Sequence, residues 1–147
     1  MVMRRRTFFI ATAALLAGPS AFAAEQALVT VYKDPSCGCC GAWADHMAKA
    51  GFTVKVVESS TLEKFKAEQG IPQALQSCHT ALVSGYVLEG HVPAKAVGKL
   101  LAERPAVKGL AVAGMPVGSP GMEMPGVEPE AYDVVTFGPD GTVFMRF

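Results

Sequence analysis

No basic stripe runs along this chain. Thirteen Lys and Arg balance thirteen Asp and Glu, whereas a nucleic-acid binder concentrates cations to meet phosphates. Three of the cations, Arg4, Arg5 and Arg6, fall in a segment that reads as removable; without them ten basic residues face thirteen acidic ones, a net charge of −3. Also missing are a Gly-rich phosphate loop, a Ser-His-Asp set and a carboxylate pair, since Asp45 and Glu123 have no evident catalytic partner. Charged residues are only 18% of the 147 and half the chain is apolar, so it can bury a core and is not a disordered tail. The length suits one domain. Against that background the informative residues are four Cys, three His and seven Met.

The apolar run Phe8 to Ala17 is too short to span a bilayer, which takes roughly 20 residues. It follows three arginines and precedes Ala21-Phe22-Ala23, a small-x-small cleavage site. Residues 1–23 are therefore expected to be a cleaved export signal, and residues 24–147 a single domain without a membrane span, working in the periplasm. Arg5-Arg6-Thr7-Phe8-Phe9 also resembles a twin-arginine signal, but the Ser or Thr expected before the pair is absent, which favours the Sec route.

Export changes what cysteines mean, because an oxidising compartment permits structural disulfides. Two ordinary staples are not available here. Cys37, Cys39 and Cys40 crowd into four residues and only Cys78 is distant, and neighbouring cysteines pair only with strained geometry. One bridge, Cys37 to Cys40 or one of the trio to Cys78, leaves two thiols for metal or exchange chemistry.

The pattern predicts strands at Ala27 to Lys33 and Phe52 to Glu58, and helices at Ala42 to Ala50 and from a Ser60 or Thr61 cap to Gln69. A hairpin follows, Thr80 to Ser84 and Tyr86 to Glu89 around Gly85, then a helix from Pro93 to Glu103. Tyr132 to Phe137 and Thr142 to Phe147 should form a terminal hairpin. This order, with Cys-x-x-Cys where the first strand meets the first helix, predicts an α/β, thioredoxin-like fold: a mixed sheet with flanking helices, plus a C-terminal Gly/Pro/Met loop and β-hairpin. A helix start stabilises thiolates, which are both nucleophiles and metal ligands. The loop before the third strand, which carries a cis-proline in thioredoxin-like proteins, is here Ser77-Cys78-His79-Thr80. Two soft or borderline ligands stand where a proline would shield the dithiol, which favours metal binding over exchange.

The segment Gly114 to Gly126 is rich in Gly and Pro and carries Met115, Met122 and Met124. Methionine ordinarily fills cores. Without apolar periodicity there is little core to fill, so these thioethers are candidate ligands, and thiolate with thioether suits Cu(I). His79 is the best imidazole candidate; His46 reads as either a helix-surface residue or a ligand, and His91 as peripheral. Zinc would accept four thiolates or three plus His. Close sulfur crowding and the methionine loop lean towards copper.

The strings VYKDPSCGCCGAW, HMAKAGF, GIPQALQSCHTALVSGYVLEGHVPA and GLAVAGMPVGSPGMEMPG together resemble a small bacterial periplasmic family, a domain of unknown function associated with copper resistance and called CopG-type. The resemblance runs from about Val29 to Phe147. It implies a thioredoxin-like fold, copper binding by Cys37, Cys39, Cys40 and Cys78 as a Cu(I) thiolate site, and redox handling of copper. The expected function is a periplasmic copper-binding protein in resistance or homeostasis, exchanging copper with other periplasmic copper-handling proteins. The alternative is an oxidoreductase acting by thiol-disulfide exchange or copper cycling. The candidate ligand set is Cys37, Cys39, Cys40, Cys78, His79, Met115, Met122 and Met124.

Overall fold

The computed structural model describes residues 27–147; the expected signal segment, 1–23, lies outside the described residues. Among the described residues no helix is long and apolar enough to cross a membrane. The element order is β1 Leu28–Lys33, α1 Gly38–Lys49, β2 Thr53–Glu58, α2 Leu62–Glu68, β3 His79–Val83, β4 Tyr86–Glu89, α3 Ala94–Glu103, β5 Gly109–Ala111, β6 Asp133–Phe137 and β7 Val143–Arg146, with a 3-10 turn at Gln73–Leu75. The seven strands make one mixed sheet in the order β2-β1-β3-β4-β5-β6-β7. β1 runs parallel to β2 and β4 to β5; the other neighbours are antiparallel.

Alternation in β1 sends Val29 and Val31 into the core. α1 meets them with Cys40, Trp43, Ala44 and Met47, a stripe at helical spacing that is buried along its length. Ala50, the last residue of the expected helix, is the exposed C-cap, and Gly51 follows in the left-handed region. Ala96, Val97 and Leu100 of α3 join the same core, beside Leu88, Leu110 and Val134. Ile71, Val87, Ala111 and Phe137 form a second cluster. Val87 and Leu88, adjacent in β4, serve different clusters, so this strand is covered on both faces.

Two departures from the sequence expectation position the site. First, α1 begins at Gly38, not Ala42, which takes Cys39 and Cys40 into its first turn. The Asp34 side chain accepts from Ser36 N–H at 2.8 Å, and the Asp34 carbonyl accepts from Cys37 N–H at 3.0 Å, folding the chain straight from β1 into the helix. Second, β5 has no counterpart in the expected order, because its three residues are too few for alternation to register. It pairs Leu110 with Leu88 and delivers the chain to the Gly/Pro/Met loop at the same end of the sheet as the cysteines.

Candidate metal centre

The register of the sheet brings the distant cysteine to the trio. Lys33, the last residue of β1, pairs with His79, the first of β3, so Cys78 lies beside the turn that leads into α1. Cys37 is the N-cap of that helix. It is joined to Cys40 by a disulfide with Cα atoms 5.5 Å apart. Cys39 and Cys78 are free thiols. The Cys39 sulfur is 3.5 Å from that of Cys37 and 3.7 Å from that of Cys78. All four sulfurs lie within 4.8 Å of one another. The Cys40 sulfur, fully buried, is 3.7 Å from the Cys78 carbonyl oxygen.

Imidazoles close the other side of Cys78. Its sulfur is 3.5 Å from His79 Nδ1 and 3.0 Å from His91 Nε2. His91 was expected to be peripheral, but it is fully buried at the site. The hairpin register explains this: Thr80 pairs with Glu89, and two further residues along each strand set Cys78 opposite His91. Only the hairpin turn at Gly85, taken together with that spacing, carried the signal in the sequence. His91 Nδ1 lies 2.8 Å from the Pro120 carbonyl oxygen, which can only accept, so Nδ1–H donates and Nε2 keeps its lone pair towards Cys78. His79 is wedged between Trp43 and His91, with ring centroids 4.6 Å and 5.0 Å away, and its buried Nε2 has no hydrogen-bond partner. Burial holds His79 well below the usual imidazole range, with the neighbouring His91 acting in the same direction. Burial also lowers His91, against the bond to Pro120, which raises it. The Cys78 thiol is pushed up to about 12, first by burial and then by Cys39.

His46 is not part of this group. Its Nε2 accepts the Ala94 N–H at 3.1 Å, which satisfies one of the unpaired donors at the start of α3.

A buried ion pair that the sequence did not announce supports the Cys78 loop. Lys66 of α2 and Glu89 of β4 are both almost wholly buried and bonded to each other. Glu89 also accepts from the Ser77 N–H at 2.7 Å and the Thr80 hydroxyl at 2.6 Å, gripping the chain on both sides of Cys78-His79. Lys66 Nζ donates to the Thr80 hydroxyl oxygen at 3.1 Å. Next to this carboxylate, Gly90 has φ +73°, and a Cβ there would stand 2.6 Å from the Ser77 Cβ.

The Gly/Pro/Met loop lies against the start of α1. A Cβ on Gly121, at φ +87°, would stand 2.7 Å from the Cys39 carbonyl oxygen and 2.9 Å from the Trp43 nitrogen. Met115 and Met124 on this loop are about half exposed, at 52% and 51%, and Met122 is half-buried. Neither of the two groups of clustered donors, Cys37-Cys39-Cys40-Cys78 and Cys78-His79-His91, contains a carboxylate. Such a sulfur and imidazole set is chemically suited to a soft or borderline metal ion.

Comparison with known proteins bears on the same residues. A family described as a protein of unknown function, DUF411, matches residues 75–122, the stretch from the Cys78 loop to Met122. Two solved structures of a copper resistance protein CopG are similar over most of both chains. Form 2 has a TM-score of 0.79 at 39% identity, covering 83% of this chain and 98% of that one. Form 1 has a TM-score of 0.76 at 41% identity, covering 82% and 96%. No curated protein matches.

Proposed function

The chain belongs to the copper resistance protein CopG family, and from that premise we propose that it is a periplasmic protein holding Cu(I) through Cys37, Cys39, Cys40 and Cys78 in copper resistance or homeostasis. The observation that carries the reading is the approach of four sulfurs to within 4.8 Å of one another. Thiolates suit Cu(I), whereas hard cations prefer oxygen donors, which this group lacks. His79 adds a borderline donor, and Met115, Met122 and Met124 are the thioethers on the loop that covers the helix start. Zinc is the weaker candidate for the same donors. The β1-α1-β2 unit followed by the β3-β4 hairpin and α3 supports a thioredoxin-like core. The arginines, apolar run and cleavage site of residues 1–23 support export to the periplasm, where copper would pass to and from other copper-handling proteins.

In this reading the chain supplies sulfurs held close together, with Cys40 buried and Cys37, Cys39 and Cys78 half-buried. The Cys37-Cys40 disulfide has to be reduced before those two sulfurs become donors. Each thiol gives up its proton as the ion binds, so uptake releases protons to solvent. Anaerobic titration of the reduced mature protein with Cu(I) and with Zn(II), followed by elemental analysis, tests the proposal. Copper should be preferred, and Cys78→Ser should weaken binding although the residue lies 39 positions from Cys39. Equal affinity for the two metals, or unchanged copper binding in Cys78→Ser, would overturn it.

The disulfide at a helix start favours a second reading, thiol-disulfide exchange. Insulin-reduction turbidity separates the two. Slow reduction that Cu(I) suppresses fits a copper protein, and thioredoxin-like rates indifferent to copper would make exchange the main activity.

A further inference from the structure

We propose that this chain associates head to tail with itself: the acidic, methionine-bearing loop of one copy seats in an apolar groove, edged by Arg104 and Lys108, at the far end of the sheet in the next copy. The contact is separate from the cysteines and does not depend on what they hold.

Charge is divided unevenly along the chain. No Lys or Arg falls between Lys108 and Arg146, while Glu123, Glu128, Glu130, Asp133 and Asp140 all do. Arg146 meets Asp133 at 3.3 Å. Among the described residues Glu123, Glu128 and Glu130 have no cation within 4.0 Å, and all three are exposed. Two of these carboxylates are fixed by their own loop, Glu123 by the Gly121 N–H and Glu130 by the Val117 N–H, each at 2.8 Å. The same loop leaves about half of Met115, Met124 and Val127 in solvent. It is already ordered. Backbone bonds run from the Glu130 N–H to the Val117 carbonyl at 2.9 Å, from Gly118 to Met122 at 3.0 Å and from Val127 to Met124 at 3.2 Å. Pro116, Pro120, Pro125 and Pro129 restrict the backbone further, so docking orders little that is not ordered in the free chain.

The other end of the sheet offers the counterpart. Leu28, Leu82, Tyr86, Val87, Val107 and Lys108 line an open groove of about 670 Å³, and no carboxylate is among its lining residues. Leu28 is 51% exposed there although β1 has a strand on either side. Arg104 stands at the rim, its guanidinium 4.9 Å from the centre of the Tyr86 ring and donating to the Ser84 carbonyl at 3.3 Å. Among the described residues neither Arg104 nor Lys108 has a carboxylate within 4.0 Å. An apolar floor edged by cations thus matches an apolar loop edged by carboxylates, the complementarity that sets register and partner choice between proteins.

One copy does not satisfy itself. Lys108 precedes β5 and the loop follows it, and Gly121 packs on Cys39 at the start of α1, whereas the groove lies at the start of β1 and the Ser84-Gly85 turn. Loop and groove therefore occupy opposite ends of the sheet. A contact between two different patches of identical chains is heterologous, so it adds copies in one direction until a ring closes or a chain runs on.

Sedimentation velocity of the mature protein from about 10 µM to about 1 mM reads the association. The average mass should rise with concentration, and association should weaken at least about 10-fold in 1 M salt, where charges are screened beyond about 3 Å. Two variants at exposed positions, Val127→Gln/Glu128→Lys on the loop and Leu28→Gln/Lys108→Glu in the groove, should each associate at least about 10-fold more weakly. Mixed together, they keep one intact groove and one intact loop, so they should form a one-to-one pair and nothing larger. Amide shifts of the wild-type protein on dilution give a second measurement that needs no variant. They should move both at residues 123–128 and at residues 84–87 and 104–108. A wild-type protein that is monomeric to 1 mM would overturn the proposal. So would a two-fold dimer indifferent to both variants, a mixture that stays monomeric, or shifts confined to one of the two surfaces.

Discussion

The Ser77 N–H donates to the buried carboxylate of Glu89 at 2.7 Å, so the residue before the distant cysteine is tied to the same group that neutralises Lys66. A buried ion pair is weak evidence for stability, since apolar residues of similar volume often replace one without loss. Its significance here is position: the carboxylate holds the backbone at Ser77 and the hydroxyl at Thr80, with Cys78 and His79 between them.

Lys66→Met should destabilise the fold by about 3–5 kcal/mol, because Glu89 is left buried and uncompensated. Lys66→Met/Glu89→Leu should recover much of that stability in urea melts, yet bind copper more weakly than wild type, because nothing then fixes the Ser77 N–H. Wild-type copper affinity in the double variant would reduce the pair to a packing feature.

Gly121→Ala should cost about 1–3 kcal/mol from its left-handed backbone alone. The added methyl also meets the Cys39 carbonyl, so the loop must lift from the helix start. Thermal melts give the stability, and alkylation of Cys39, faster in the variant, reports the lifting.

Stability should depend on pH through His46. Burial lowers its folded pKa below 6.5, the ordinary value, although Glu123 opposes this. As pH falls through 6.5 the unfolded chain takes up a proton that the native imidazole resists, so stability present at higher pH is lost down to the lowered folded value. His46→Gln, which cannot take up that proton, should show a smaller difference in urea midpoint between pH 7.5 and pH 5. An identical pH slope in both proteins would exclude His46 as the source.

Met115→Leu/Met124→Leu should change stability by less than about 0.5 kcal/mol, since both residues are about half exposed and the swap nearly conserves volume. If their thioethers are copper donors, stopped-flow loading should slow while the fold is unaffected. Unaltered loading and affinity would assign them to the surface alone.

Much of the fold could be read from local pattern. Strand alternation at Val29 and Val31 and the helical stripe Trp43 to Met47 are periodic signals, and both fall in the core. What stayed hidden depends on partners far apart in sequence. Lys66 sits in a short, charged helix and looks solvated until Glu89 arrives from β4 to meet it. His91 looked peripheral because its partner, Cys78, is found only by extending a strand register. His46, left open between surface and ligand, proves to bond a helix start that belongs to another element. The helix boundary was misplaced because Gly38 and Gly41 lower helix propensity locally, and the turn around Asp34 overrides that weak preference.

The pairing of Lys33 with His79 makes the distance between sulfurs a property of strand alignment. Side chains in a strand alternate between faces, so slipping β3 by one residue against β1 would turn the Cys78-His79 step over and exchange which of the two faces the helix. A single-residue insertion or deletion between Leu28 and Lys33, or in the hairpin turn at Ser84-Gly85, should therefore damage chelation more than most substitutions beside the cysteines. The ligands can be kept, every one of them, and the site still lost through miscounting along the chain.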